Sequence, residues 1–343
     1  MRILAIESSC DDLAACLFEG PDQILSSRVA SQETAHAPYG GIVPEIASRQ
    51  HLTTISQLVE KTIQEAPQNK QTFEGIAVTY MPGLVGSLLV GLNFAKGLAL
   101  SRQVPFIGVN HLEGHLMSVF LEEKKPQFPF IGLVISGGHT NLYWVEGTGR
   151  YRLLGMTVDD AAGEAYDKVA KILGLGYPGG PILDRLAKLG NPNAVRFAIP
   201  RVKRGKLYTS FSGLKTAVLE YAKAHQLETL LKEKPITECK LALDLIASFQ
   251  KIVVTIVEKM LLKASEELEC KRWVITGGVA CNSGLRDRLN QLAQKEGYEV
   301  FIPQPKFCTD NAAMIAYVGH AYLSQGIQSD GSLNAVANDL SSK

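Results

Sequence analysis

Ile3-Leu4-Ala5-Ile6-Glu7-Ser8-Ser9-Cys10-Asp11-Asp12 decides the fold: an apolar run of strand character stops abruptly in residues that are small, polar or acidic. The same device recurs at Leu133-Val134-Ile135 before Ser136-Gly137-Gly138-His139, and at Trp273-Val274-Ile275 before Thr276-Gly277-Gly278. A second strand pattern follows the first two (residues 13–18 and 141–145), so both read as hairpins. After the third, helical periodicity begins near 283 and runs to about 295, with Asn282 or Ser283 placed to cap it. Helical periodicity also marks residues 44–65, 162–173, 238–267 and 311–323. Alternating strand and helix make an α/β protein. The hairpin loop recurring near residues 7 and 136 makes two related lobes, with a change-over near Lys124-Lys125-Pro126. The expected division is 1–125, then 126–324 with the ligand and metal site between the lobes, then a polar tail, 325–343, poorly ordered beyond its first residues.

The 343 residues exceed one ordinary core, in keeping with two domains. Lys and Arg total 35 against 34 Asp and Glu, so overall charge neither demands nor excludes a nucleic-acid partner. The six cysteines form no Cys-x-x-Cys pair, which fits reduced thiols in a cytosolic protein. Met1-Arg2 leads into an apolar run too short for a signal peptide. The most apolar long segment, 84–100, carries Asn93, Lys96 and several glycines, and reads as a buried helix. The expectation is a cytoplasmic protein with no membrane partner.

His111-Leu112-Glu113-Gly114-His115 sets two imidazoles four residues apart, about 40° apart around a helix, so both can reach one ion. A helix with two structural histidines is the equal alternative. Glu113 falls on the opposite side, whereas a zincin peptidase needs its Glu directly after the first His. Asp310, in a polar turn before an apolar helix, is a candidate third ligand; Thr309 or Asp310 acting only as an N-cap is the competing account. Two His and one carboxylate would leave open positions suited to iron or zinc.

The glycines of Ser136-Gly137-Gly138-His139-Thr140 and of Gly277-Gly278 let backbone N–H groups approach a phosphate or carboxylate, and three such strand-end loops favour a bound nucleotide. Tyr177-Pro178-Gly179-Gly180-Pro181 is a rigid turn that could touch a ligand through its backbone. Asp167 and Asp184 are either acceptors for ribose hydroxyls or parts of solvated helix faces. Arg196, Arg201, Lys203, Arg204 and Lys206, interleaved with Phe197 and Tyr208, form either a phosphate-gripping patch or a solvated loop.

Taken together these segments resemble the TsaD family, tRNA N6-adenosine threonylcarbamoyltransferases of the two-lobed actin-like ATPase (ASKHA) fold. Carrying the resemblance are Ile6-Glu7-Ser8-Ser9-Cys10-Asp11, Tyr39-Gly40-Gly41-Ile42-Val43-Pro44-Glu45, the His111/His115 segment, Ile135 to Thr140, Asp160-Ala161-Ala162-Gly163-Glu164-Ala165, Tyr177 to Pro181, Ser210-Phe211-Ser212-Gly213-Leu214-Lys215 and Cys308-Thr309-Asp310-Asn311. The resemblance implies transfer of threonylcarbamoyl from threonylcarbamoyl-adenylate to N6 of adenosine 37 in tRNAs reading ANN codons, forming t6A and releasing AMP. It implies one divalent metal ion per chain, Fe2+ with Zn2+ as the alternative, on His111, His115 and Asp310. It implies adenylate contacts from Val134, Ile135, Ser136, Gly137, Gly138, Asp167, Gly180, Asp184 and Asn282, and accessory proteins similar to TsaB and TsaE. Asp11 is the candidate for assisting deprotonation of the attacking amine. Asp12-Leu13 stands where the family generally has Glu-Thr, one methylene longer at the first position. A metallopeptidase, the family's older label, and a non-catalytic ATP-binding scaffold are the rival readings.

Overall fold

The computed structural model describes residues 1–338. By its contacts the chain divides into two units, the first made of Met1–Gln127, Gly147–Tyr151 and the chain from Pro303, the second of Phe128–Glu146 and Arg152–Ile302. The segment from Pro303, expected with the second lobe, packs in the first unit instead. Its helix Ala312–Leu323 is apolar on most sides and lies on the first unit's strands. Gly319 allows the close approach, since a Cβ there would stand 2.2 Å from the Ala77 Cβ.

In the first unit β1 (Arg2–Glu7), β2 (Leu13–Glu19), β3 (Gln23–Ala30), β4 (Gly75–Met81) and β5 (Phe106–Asn110) form one sheet in the order β3-β2-β1-β4-β5. β1 pairs antiparallel with β2 and parallel with β4. Ile3 to Ile6 and Leu13 to Phe18 are buried without alternation, as expected of strands covered on both faces. Helix Pro44–Glu65 begins with Pro at its first position and Glu45 in its first turn; it buries Ala47, His51, Ile55, Leu58, Val59 and Thr62 along one stripe. That stripe and helix Val85–Arg102 pack with Leu4, Ile6, Leu17 and Val78.

In the second unit β6 (Phe130–Ile135), β7 (Thr140–Gly147), β8 (Arg150–Met156), β9 (Arg272–Thr276) and β10 (Glu299–Phe301) form a sheet ordered β10-β9-β6-β7-β8. β6 pairs antiparallel with β7 and parallel with β9. Strand for strand this repeats the first sheet: a central strand, a hairpin partner on one side and a parallel neighbour on the other. Helices Ala162–Ile172, Gly179–Ala187 and Lys240–Leu268 pack in this unit, and Ser283–Glu296 follows β9, capped by Asn282, whose side chain accepts from the Leu285 N–H.

The tail differs from its expectation over its described part. Ser329 N–H donates to the Phe106 carbonyl at 2.8 Å, Val336 N–H to that of Tyr80 at 2.9 Å, and Lys96 Nζ to that of Gly331 at 2.9 Å. Leu333 and Ala335 pack on the first core. Average polarity hid these two apolar anchors. Residues 339–343 lie outside the described residues. Among the described residues no helix is long and apolar enough to cross a membrane.

Candidate metal centre and adenylate loops

Helix His111–Met117 starts where β5 ends, with the Asn110 side chain accepting from the Leu112 N–H at 2.8 Å. Both histidines therefore leave one face, with ring centroids 4.6 Å apart and planes near perpendicular. Asp310 joins them: its Oδ1 lies 3.1 Å from His115 Nε2 and 3.7 Å from His111 Nε2. One donor atom from each of His111, His115 and Asp310 lies within 4.8 Å of the others, a group that could hold a metal ion. The capping account of Asp310 does not hold, because Asn311 is the cap of the following helix and accepts from the Met314 N–H. All three residues belong to the first unit.

Behind the cluster stands Glu7, fully buried at the end of β1. Its Oε2 is 3.1 Å from His111 Nδ1 and also accepts from the Thr79 hydroxyl; its Oε1 accepts from the Ser9 N–H at 2.6 Å. Ser9 Oγ lies 3.1 Å from the same His111 nitrogen. A carboxylate holding the far nitrogen of an imidazole is the arrangement that orients histidine ligands of metals. Burial works against a charged His111, and the Glu7 carboxylate, with Asp310, overrides it and pushes the imidazole up to about 9. Glu7 moves the other way: burial raises it, and attraction to His111 more than reverses that. His115 is held down by burial, against the pull of Asp310. Its Nδ1 is buried without a hydrogen-bond partner, an uncompensated polar atom that a purely structural histidine would rarely carry. Two carboxylates facing one imidazolium and one neutral imidazole match a divalent cation in charge once the His111 proton is displaced.

Glu113 is turned away, as its place in the helix requires. It accepts from the Gly149 N–H at 2.7 Å and from the Tyr322 hydroxyl at 2.8 Å, and burial raises its carboxyl pKa. A carboxylate locked there cannot serve as the base of a zincin peptidase. Asp11 lies half-buried in the loop between β1 and β2.

The remaining candidates all lie in the second unit. Val134 and Ile135 are buried at the end of β6, and the turn after them closes through the Ser136 N–H to the His139 carbonyl at 2.8 Å. The Ser136 carbonyl accepts from Gly163 N–H at the start of helix Ala162–Ile172. Gly277, at φ 94, passes so near that a Cβ would stand 2.4 Å from the Ile135 carbonyl oxygen. By contrast a Cβ at Gly137, Gly138 or Gly180 would meet nothing within 4 Å, so backbone there faces open space. Asp167 and Asp184 are not solvated helix faces. Asp167 accepts from the Gly179 N–H at 2.7 Å, pinning the Tyr177–Pro181 turn. Asp184 accepts from the Ser283 N–H and hydroxyl and from Gln250. Asn282, besides capping its helix, donates to Gln250 Oε1 at 2.8 Å and to the Tyr166 hydroxyl at 3.3 Å.

Sequence reasoning missed Gln250, Tyr166 and the orienting pair Glu7 and Ser9. The available signal for Glu7 was a charge that directly follows the apolar run Ile3-Leu4-Ala5-Ile6; Gln250 stands among Ser248 and Lys251 in a helix where local pattern does not single it out.

The basic segment runs between helices Gly179–Ala187 and Ser212–Ala224 without regular structure, and Arg196, Arg201, Lys203, Arg204 and Lys206 are all exposed. Its ends are stapled. Asn191 N–H donates to Asp244 and Val195 N–H to Ser248 at one end; Phe211 and Ser212 N–H donate to Asp159 at the other. Arg204 lies over the Tyr208 ring, 5.4 Å from its centroid.

The family model TsaD, tRNA N6-adenosine threonylcarbamoyltransferase, matches residues 23–317. A protein of that name from Trichlorobacter lovleyi is 51% identical over 98% of this chain and 96% of its own; one from Geobacter sp. (strain M21) is 52% identical over 98% and 95%. Among solved structures, T. kodakarensis HypF superposes with a TM-score of 0.62 at 13% identity, over 95% of this chain and 48% of that one. The activator of 2-hydroxyisocaproyl-CoA dehydratase from Clostridium difficile gives 0.51 at 17%, over 97% and 100%. At such identities these structures speak for the fold alone, the actin-like ATPase (ASKHA) fold. The sequence relatives speak for more: the chain belongs to the TsaD family of tRNA N6-adenosine threonylcarbamoyltransferases.

Proposed function

We propose that the enzyme transfers the threonylcarbamoyl group of threonylcarbamoyl-adenylate to N6 of adenosine 37 in tRNAs reading ANN codons, giving t6A and AMP. The observation that carries this reading is the convergence of His111, His115 and Asp310, backed by Glu7, in a chain whose Glu113 is locked away from peptidase chemistry. In the transfer, the N6–carbonyl bond forms as the bond from that carbon to the phosphate oxygen breaks; the electron pair leaves with AMP and the amine proton passes to a base.

His111, His115 and Asp310 would hold one divalent ion, Fe2+ ahead of Zn2+, which when bound supplies a Lewis acid for an acyl or phosphate oxygen. Glu7 and Ser9 hold the His111 ring so that Nε2 faces the site. Open backbone at Gly137 and Gly138, after the buried Val134-Ile135 strand end, suits the adenylate phosphate, and Gly180 offers a second stretch of open backbone. Asp167, Asp184 and Asn282 shape the ribose end, the first through the turn it pins and the others through the Gln250–Tyr166 network. Asp11 is assigned the N6 proton. The exposed cations of the stapled loop take the tRNA backbone. Accessory proteins similar to TsaB and TsaE, an adenylate-supplying enzyme similar to TsaC, and a cytoplasmic setting complete the reading.

The test is direct. Purified protein with its partners, metal-replete, is incubated with threonylcarbamoyl-adenylate and unmodified tRNA, and nucleosides are analysed by mass spectrometry. The expected product is t6A with equimolar AMP. No modified adenosine overturns the reading.

A further inference from the structure

A chain of buried polar side chains lies outside the groups assigned so far. Val43 N–H donates to His36 Nδ1 at 3.3 Å, His36 Nε2 meets Gln32 Oε1 at 3.3 Å, Gln32 Nε2 meets His51 Nδ1 at 2.7 Å, and His51 Nε2 meets the Cys10 carbonyl at 2.9 Å. The second amide hydrogen of Gln32 is placed to reach the Ala47 carbonyl at 3.3 Å. His36 and His51 are fully buried and Gln32 nearly so.

Both ends are backbone groups with a single role each: an N–H only donates and a carbonyl only accepts. Every link between them is thereby fixed in direction. Val43 makes His36 Nδ1 an acceptor, so a neutral His36 donates from Nε2 to Gln32 Oε1. The Gln32 amide then donates to His51 Nδ1, and His51 donates from Nε2 to Cys10. Burial holds His51 down at about 4, which keeps it neutral and able to accept at Nδ1.

Cys10 sits between Ser9, whose hydroxyl and N–H engage His111 and Glu7, and Asp11. The Ser9 carbonyl is itself held by the Leu84 N–H at 2.8 Å. We propose that the Val43–His36–Gln32–His51–Cys10 relay is a positioning device of the active site, fixing the peptide that sets Ser9 against His111 on one side and carries Asp11 on the other. It gives the segment Tyr39-Gly40-Gly41-Ile42-Val43-Pro44-Glu45 a task. Gly40, at φ 66, makes the turn that brings the Val43 N–H back to His36. A network satisfied at every member fixes one arrangement where an apolar core would allow several.

Only the activity arm of the test rests on the transferase reading. Nitrogen-15 shifts in the full-length protein report which His51 nitrogen carries the proton. The relay requires Nε2–H, and an Nδ1–H tautomer in the wild type overturns it whether or not product forms. His51→Leu removes the donor to the Cys10 carbonyl at similar volume. Transfer kcat is then expected to fall about 10- to 100-fold with KM for tRNA unchanged, the loss that a small misplacement of a reacting group produces. His51→Gln, which keeps a donor for Cys10, is expected to stay within about threefold of the wild type. An unchanged kcat in His51→Leu, or equal losses for His51→Gln and His51→Leu in folded protein, overturns the proposal.

Discussion

The two histidines four residues apart on one short helix sit in opposite electrostatic surroundings. Glu7 draws His111 towards the imidazolium, while burial keeps His115 neutral. Replacing Asp310 or His115 with Ala should reduce bound metal, measured by elemental analysis after gel filtration, from one per chain to near none. Glu7→Gln keeps volume and one hydrogen bond but removes the charge behind His111, and should weaken metal affinity about 10- to 100-fold, read by chelator competition. Glu113→Gln should leave metal content unchanged. Asp12 makes a separate, pH-dependent prediction: burial, reinforced by Asp11 and Asp310 and opposed by hydrogen bonds from Ser31 and Gln32, raises its carboxyl from the usual 3.8 to about 7. The folded state then holds a proton that the unfolded state has lost, so Asp12 makes stability fall as pH rises from about 4 to about 7, with no further loss above. In denaturant unfolding of metal-free protein, Asp12→Asn should match the wild type near pH 4 and exceed it at pH 8, by up to about 4 kcal/mol. The histidine pair was legible from spacing, since helical geometry alone puts both rings on one face. Glu7 was not, because nothing local marks a strand's last residue as the partner of a histidine more than a hundred positions away.

At the scale of elements, the strand-end loops are shaped by close backbone approach. The loop after β6 is backed by Gly163, where a Cβ would stand 2.7 Å from the Ser136 carbonyl oxygen, and by Gly277, whose positive φ no β-branched residue tolerates. Gly277→Ala should cost at least about 2 kcal/mol in denaturant unfolding through strain and the clash with the Ile135 carbonyl. It should also raise KM for the adenylate, because the displaced loop is the one proposed to hold its phosphate. Gly138→Ala adds a methyl in open space and should leave stability within about 0.5 kcal/mol, so the pair separates strain from ligand contact. β1, β2, β6, β7 and β9 and the long helices could be read from the sequence because each buries a largely apolar stretch or stripe, whereas β3, β8 and β10, mostly exposed or half-buried, could not. The docking of the Ala312–Leu323 helix could not, since its apolar pattern does not say which sheet it covers; close approaches such as Gly319 to Ala77 and Gly75 to Leu323 are visible only in the fold. The tail was misjudged for a related reason: Leu333 and Ala335 are too few to lift the mean hydropathy of a polar segment, yet with the backbone hydrogen bonds of Ser329, Gly331 and Val336 they seat it.

For the molecule as a whole, two sheets of the same strand order carry different groups, a cluster that could hold a metal in one unit and loops with open glycine backbone in the other. Net charge, +1, gives no hint of a polyanionic partner, yet Arg196, Arg201, Lys203, Arg204 and Lys206 stand exposed together on one loop. Among the described residues none of the five has an ion-pair partner. A solvated loop and a phosphate-binding surface differ in what salt does to them. If these cations neutralise tRNA phosphates, counterions are released on binding, and log K falls with log salt by roughly 0.7 to 0.9 per contact. Replacing Arg201, Lys203, Arg204 and Lys206 together by Ser should make that slope shallower by about 3 in fluorescence anisotropy titrations across KCl concentrations. Affinity near physiological salt should fall by about two orders of magnitude or more. The staples at Asp159, Asp244 and Ser248 are untouched in this variant, so its melting temperature should match the wild type and kcat at saturating tRNA should survive. An unchanged slope would make the loop a solvated one and send the search for the tRNA surface elsewhere on the chain or to its partners.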